Sequence, residues 1–131
     1  MDYDVITTRV SKIWLDDDNV IHVIVLPESN INFEDVKAVF EVIRTLSGEE
    51  KHPLFFDIRN IKSITREARA FSASEDSAGI VSATAALVNS TVSKVIGNFV
   101  LIVDKPLYPT RIFTAEPKAM DWLKEKKYTA P

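Results

Sequence analysis

The chain has 131 residues, the usual size of one domain, and its hydrophobic content of 46% is enough for one core. Its 19 acidic and 16 basic residues are spread along the sequence and give a net charge of −3, which argues against nucleic acid as a partner. The absence of cysteine excludes disulfides, thiolate metal sites and cysteine nucleophiles. We predict a single domain over residues 1–131.

The first residues and the most apolar stretch bear on location. The segment Met1-Asp2-Tyr3-Asp4 lacks the basic and then apolar run of a secretion signal, which favours a cytoplasmic protein. The stretch 92–103 is only about half as long as a bilayer crossing requires. We therefore expect no membrane span.

An opening β-hairpin is the first predicted element. Residues 7–15 and 20–26 are rich in β-branched and apolar side chains, which is typical of strands. Three aspartates and an asparagine, at positions 16–19, lie between them and tolerate turn geometry. The aspartates lack the ligand spacing of a calcium loop, so we favour a solvated turn over a cation site.

A helix and a buried strand are predicted next. Apolar residues recur at helical spacing from Phe33 to Leu46, with Asn32 before them as a suitable N-cap and Gly48 after them as a suitable end. The run 54–58 is apolar except for one aspartate, and it follows a proline. Such a run is typical of an interior strand that is covered on both faces.

The rest of the chain alternates helices with strands. A short helix is predicted from Arg66 to about residue 74, capped by Ser63 or Thr65, and a strand over 80–88 follows it. The next predicted helix covers about 91–103 and starts at Ser90 or Thr91. A strand over 111–113 comes next, and then a last helix that is capped by Thr114 and has Ala119, Trp122 and Leu123 on its apolar face. This order predicts an α/β fold, with a mixed, mainly parallel sheet of about five strands, four flanking helices and an opening β-hairpin.

Two segments carry a family resemblance. Residues 54–67, Leu-Phe-Phe-Asp-Ile-Arg-Asn-Ile-Lys-Ser-Ile-Thr-Arg-Glu, and the ending from Tyr108 to Thr114 resemble the uncharacterised bacterial SpoIIAA-like (STAS/SEC14-type) proteins. The resemblance covers nearly the whole chain and implies the STAS-type fold of the anti-sigma-factor antagonists. It also implies a non-enzymatic regulatory domain that binds a partner protein, or a second copy of itself as a homodimer, through residues 59–75.

The resemblance departs from the antagonists at their switch. In those proteins a strand ends in an aspartate, and a serine about nine residues later is phosphorylated to control partner binding. Asp57 matches the aspartate, but Arg66 stands where the serine would be, between Thr65 and Glu67. An arginine changes the local charge in the opposite direction from a phosphate, so we expect no phosphorylation switch here.

Basic side chains concentrate after the predicted central strand, where α/β sheets usually place ligands. A helix start there would also offer free N–H groups to an anion. The candidate site for a small anion or a partner consists of Asp57, Arg59, Thr65, Arg66 and Arg69. The alternative is that these arginines pair with nearby carboxylates on a solvated surface, namely Asp57, Glu67, Glu75 or Asp76.

The sequence contains no recognisable catalytic constellation. His22 and His52 are the two histidines, and neither has the spacing of a metal site or an evident acid–base partner. No serine lies in a G-x-S-x-G turn, and there is no phosphate-binding loop. We expect no enzymatic activity, no metal and no cofactor. The alternative to an interaction domain is a carrier of a small ligand, either an anion at the arginines or, as the SEC14-type label implies, a lipid between helices.

Overall fold

The structure is a computed structural model that describes residues 3–48, 50–74 and 79–129. The strands of these segments are β1 (Ile6–Thr7), β2 (Ser11–Leu15), β3 (Ile21–Val25), β4 (Ser29–Ile31), β5 (His52–Asp57), β6 (Ile61–Ile64), β7 (Val81–Leu87) and β8 (Thr110–Phe113). The helices are α1 (Phe33–Ser47), α2 (Arg66–Ser72), α3 (Thr91–Phe99), which runs into a π-helical turn (Val100–Asp104), and α4 (Glu116–Thr129).

The main sheet has six strands in the order β1-β2-β3-β5-β7-β8. The first two pairings are antiparallel, and those of β3 with β5, β5 with β7 and β7 with β8 are parallel. The predicted mixed, mainly parallel sheet with an opening hairpin is confirmed, with one strand more than the expected five. A separate two-stranded parallel sheet, formed by β4 and β6, was not predicted.

The hairpin turn is held by its own aspartate. Asp16 Oδ1 accepts hydrogen bonds from the backbone N–H groups of Asp18, at 2.8 Å, and Val20, at 2.9 Å. Asn19 has a φ of 63°, in the left-handed region that asparagine tolerates. The predicted turn is therefore confirmed.

Both ends of α1 lie where the sequence predicts them. The side chain of Asn32 accepts the N–H of Asp35, and the carboxylate of Asp35 accepts the N–H of Asn32, each at 2.9 Å, so the two residues form a capping box. Gly48 ends the helix with a φ of 62°, a conformation that costs glycine little.

Helices cover both faces of the sheet. The larger core lies under α1, α2 and α3 and includes Leu54 of β5. A smaller core lies under α4 and includes Phe55, Ala119 and Leu123. Side chains alternate between the faces of a strand, so neighbours in β5 enter different cores, as the predicted interior strand requires. That strand ends at Asp57, and Ile58 is buried just after it.

Three predicted helix boundaries need correction. α2 is capped by Thr65, and not by Ser63, and it ends at Ser72. After α3 the hydrogen bonding changes, because the N–H of Lys105 bonds to the carbonyl of Val100 five residues earlier. α4 begins at Glu116, two residues after Thr114, with a carboxylate and a proline in its first turn, where both are favourable.

Within the described segments, no helix combines the length and apolar character that crossing a bilayer would demand.

Candidate functional site

Asp57 and Arg59, the first two residues of the predicted site, form one compact ion pair. Asp57 is 4% exposed at the end of β5. Its carboxylate accepts hydrogen bonds from Arg59 Nε at 3.0 Å, from Arg59 Nη2 at 2.7 Å and from the Arg59 backbone N–H at 3.1 Å. Hydrogen bonding to Asp57 is the main reason that the pKa of Arg59 is raised. This guanidinium charge is therefore balanced locally.

Thr65 and Arg66 lie at the start of α2. The Thr65 hydroxyl accepts the N–H of Ala68 at 3.2 Å and caps the helix. Arg66 is the first residue of α2, and its side chain is exposed. The hydroxyl nearest to the position of the antagonists' serine is thus engaged as a cap, and the absence of a phosphorylation switch stays a prediction.

Arg69 is paired with a carboxylate from another part of the chain. Its Nε lies 3.3 Å from Asp104 Oδ2, and the two side chains are only 15% and 7% exposed. This pair joins α2 to the π-helical turn, on the face of the sheet that α1 covers. Asp57 follows Phe56 in β5, so its side chain points to the opposite face of the sheet, which α4 covers.

The structure therefore brings Asp57 together with Arg59 and places Thr65 next to Arg66, and it pairs Arg69 with Asp104. β6 separates the end of β5 from the start of α2 and pairs with β4. The alternative of local ion pairing holds for Arg59, and Arg69 pairs with Asp104, a residue 35 positions away that the sequence did not suggest. Glu75 and Asp76, which were also considered as partners, lie outside the described residues.

An apolar recess lies on the sheet between α2, α3 and the loop before β8. Its volume is about 60 Å³. Phe56 and Ala86 lie on its floor, in the interior strands β5 and β7, yet neither side chain is fully buried. Large apolar side chains and a few small residues, among them Ala86 and Gly97, line the recess. At Gly97 of α3 a Cβ atom would come within 2.9 Å of Ile112 Cδ1, so the helix and β8 are in close contact.

Five polar residues line this recess, Arg69, Ser72, Thr84, Tyr108 and Thr110. The hydroxyl of Tyr108 donates a hydrogen bond to the backbone carbonyl of Ser72, and burial raises the pKa of Tyr108 to about 12. Thr84 is 5% exposed, and its hydroxyl makes no hydrogen bond of ordinary geometry in the described segments, although its interaction with Tyr108 acts to lower the pKa of that phenol, against the larger effect of burial. Arg69 is paired with Asp104.

This recess was not predicted from the sequence. The available signal was the run of small residues 82–86 in β7, Ser-Ala-Thr-Ala-Ala, which only made the strand assignment ambiguous. Small side chains in this strand leave room between the sheet and the helices that cover it. Which helix would leave that space open depends on tertiary packing and could not be inferred.

His22 has a partner that the sequence did not suggest. Its Nε2 lies 2.7 Å from Asp16 Oδ2, and both side chains are about nine-tenths buried, at 12% and 10% exposure. The imidazole stacks on Trp14, with ring centroids 4.8 Å apart and planes within 6°. His52 Nδ1 lies 2.9 Å from the backbone oxygen of Asn19. These contacts fit the structural role predicted for both histidines, because they hold the hairpin together.

One similar solved structure shows the fold. A crystal structure of an uncharacterised DUF3478-family protein from Shewanella loihica PV-4, described as having a SpoIIAA-like fold, aligns over 93% of this chain and 92% of its own with a TM-score of 0.52 and 11% identity. The predicted SpoIIAA-like fold is thereby confirmed. A protein of unknown function from Arthrobacter sp. FB24 is 24% identical over 90% of this chain and 95% of its own, with a TM-score of 0.35.

Sequence comparison gives the family. None of the curated proteins is significantly similar to this sequence. Residues 13–127, from within β2 to within α4, match a family described as Domain of unknown function (DUF7793). The chain belongs to this family, DUF7793.

Proposed function

We propose that this chain is a non-enzymatic bacterial binding domain of the cytoplasm that takes a small apolar ligand into the recess between α2, α3 and the sheet. The observation that carries the proposal is the incomplete burial of Phe56 and Ala86 in interior strands. Interior strands of a parallel sheet are normally covered on both faces. Apolar surface left open in a concave recess gains free energy when an apolar ligand covers it.

The charges around the recess favour a neutral ligand over an anion. Arg69 is the cation that lines the recess, and it is already paired with the buried carboxylate of Asp104. An anionic ligand that took Arg69 would leave Asp104 buried without its partner, which is costly. We therefore prefer the apolar form of the carrier hypothesis to the anion form.

Toluene titration followed by backbone amide NMR tests the proposal. Ala86→Leu places a larger side chain in the recess and should abolish the amide shifts that toluene induces in the wild-type protein. Ala70→Leu is the matched control, because Ala70 is exposed on α2 and does not line the recess. The proposal fails if wild-type amides near the recess do not shift, or if Ala86→Leu responds like Ala70→Leu.

A second candidate function is the protein-interaction or homodimer role that the family resemblance implies. In its favour, Val92 and Val95 are 47% and 50% exposed, and they lie three residues apart on one face of α3. Leu107, in the loop after the π-helical turn, is 61% exposed. Exposed apolar side chains of this kind are found at contact surfaces.

Native mass spectrometry separates the two candidates. A stable dimer that Val95→Lys dissociates would support the interaction role, and a retained small molecule would support the carrier. A monomer without bound partner at all accessible concentrations would count against self-association.

A further inference from the structure

A polar pocket adjoins the apolar recess. Ile61 of β6 is buried and lines both spaces. On α3, Val92 lines the polar pocket and Ile96 lines the recess, and residues four positions apart in a helix lie on the same face. The two spaces therefore lie side by side along α3 and meet at apolar side chains.

The sizes of the two spaces favour a ligand that occupies both. The recess, at about 60 Å³, is smaller than the cavity of about 150 Å³ that encloses benzene in an engineered protein. The polar pocket has a volume of about 310 Å³. A ligand anchored in the recess therefore has most of its volume outside it, and the polar pocket is the neighbouring space beyond Ile61.

The polar pocket presents side chains of both charges. Lys62 Nζ lies 3.9 Å from Glu28 Oε2, and both side chains are exposed and line the pocket. The guanidinium group of Arg59 lines it too, but its charge is balanced by the buried carboxylate of Asp57. Asn60 adds an exposed amide. The pocket therefore offers donors and acceptors of hydrogen bonds, while its positive and negative charges balance.

An uncharged head group with several hydroxyls fits this lining. A hydroxyl both donates and accepts, so it can accept a hydrogen bond from Lys62 and donate one to Glu28. An anionic head group would be repelled by Glu28, and a cationic one would be repelled by Lys62. Ion pairs between exposed groups also contribute little to binding, so a charged head group gains little from either residue.

Resting on the apolar-ligand function proposed above, we infer that the ligand is a neutral amphiphile, with its hydrocarbon end in the recess and a hydroxyl-rich head group in the polar pocket between Glu28 and Lys62. Its chain leaves the recess along the apolar side chains of Ile61 and Val92. A plain hydrocarbon would use the recess alone, so this inference makes predictions that the proposed function does not.

Four probes with the same six-carbon chain test the inference by amide NMR titration. Hexyl glucoside is uncharged, hexanoate is anionic, hexylamine is cationic and hexylphosphocholine is zwitterionic. Hexyl glucoside should shift the amides of Gly97, in the recess, and Asn60, in the polar pocket, with one dissociation constant. It should also bind about tenfold more tightly than each charged probe.

Variants test the two ends of the ligand separately. Lys62→Met should weaken the binding of hexyl glucoside about tenfold, as expected for the loss of a hydrogen bond to a charged group, and should leave toluene binding unchanged. Lys37→Met is the matched control, because Lys37 is an exposed lysine of α1 that lines neither space. Ala86→Leu fills the recess and should weaken both hexyl glucoside and toluene.

The outcomes separate this inference from the function beneath it. If hexyl glucoside shifts only one of the two amides, or if Lys62→Met binds it like Lys37→Met, the head-group assignment is wrong while toluene binding still supports the proposed function. If a charged probe binds most tightly, the neutral head group is also wrong. If neither hexyl glucoside nor toluene binds, both the inference and the proposed function fail.

Discussion

Thr84 and Thr110 face each other across β7 and β8, and both line the recess. The Thr110 hydroxyl donates a hydrogen bond to the Tyr108 carbonyl at 3.1 Å. The Thr84 hydroxyl makes no hydrogen bond of ordinary geometry in the described part of the chain, and its interaction with Tyr108 acts only to lower the pKa of that phenol. Thr110→Val should therefore lower the free energy of unfolding by about 1 kcal/mol, and Thr84→Val should leave it unchanged or raise it slightly. Urea denaturation measures both. Equal losses would mean that Thr84 has a hydrogen-bond partner, such as an ordered water molecule.

Asp35 is the residue at which pH should affect stability most clearly. Its pKa is held below the ordinary value, first by hydrogen bonding from Arg9 and also by the backbone N–H of Asn32, while burial acts in the opposite direction. A carboxyl group whose folded-state pKa is lowered stabilises the fold above its unfolded pKa of about 4. That contribution is lost as pH falls through the lower, folded-state pKa.

Asp35→Asn should accordingly cost about 1 kcal/mol at neutral pH, as loss of a capping interaction does. The difference from wild type should shrink below about pH 4, where the wild-type carboxyl also becomes protonated. Denaturation at a series of pH values measures this. Asp17→Asn, in the exposed hairpin turn, is the control and should change stability by less than about 0.5 kcal/mol. A difference that stays constant down to pH 2 would contradict the assignment.

Ion pairs illustrate what sequence alone can indicate about the candidate site. Arg59 lies two residues from Asp57, so their pairing could be predicted as a local contact, and it is present. Arg69 and Asp104 are paired through the packing of α2 on the π-helical turn, and nothing local to either residue indicates the other. The predicted anion site counted Arg59 and Arg69 as contributors, and both guanidinium groups are paired with carboxylates.

At the scale of elements, Gly48 is the residue whose substitution should test the end of α1. It has a φ of 62° and no atom within 4 Å of the position that a Cβ would occupy. Gly48→Ala should therefore lose about 1 kcal/mol of stability through backbone strain alone, without a steric clash. Gly48→Asn should lose less, because asparagine tolerates this conformation. Thermal unfolding monitored by circular dichroism checks both, and equal losses would point to a cause other than backbone conformation.

Elements with strong local patterns were predictable, and elements defined by distant pairing were not. α1 has regular apolar spacing and a capping box, and β5 has an apolar run after a proline, so local physics indicates both. β4 and β6 have three and four residues and pair across about 30 positions of sequence. Strands this short contain too few alternating side chains to be recognised before the fold brings them together.

At the scale of the whole molecule, the two faces of the sheet are covered unequally. α4 packs closely on one face because Ala83 and Ala85 of β7 are small and fully buried there. On the other face the small residues Thr84 and Ala86 alternate with them, but α2 and α3 do not close over this surface. The same run of small side chains therefore gives tight packing on one side and the recess on the other.

Phe40 connects the core with the recess, which allows a test of both together. It is 4% exposed in α1, and its ring packs against Phe71 at a centroid distance of 5.9 Å while also lining the recess. Phe40→Ala should cost about 3–5 kcal/mol, from lost burial and from the cavity left behind. Because that cavity would be continuous with the recess, the variant should also bind toluene more tightly than the wild type.

Ile43→Ala is the matched control for this experiment. Ile43 is fully buried in α1, but it does not line the recess. Its truncation should cost about 2–5 kcal/mol, a loss comparable with that of Phe40→Ala. Toluene at ten times its dissociation constant should restore about 1.4 kcal/mol to Phe40→Ala, because a ligand stabilises the folded state that binds it. The same toluene concentration should restore less to Ile43→Ala, whose cavity is closed off from the recess. Equal restoration of the two variants, measured by urea denaturation with and without toluene, would show that the recess and the space left by Phe40 are not connected.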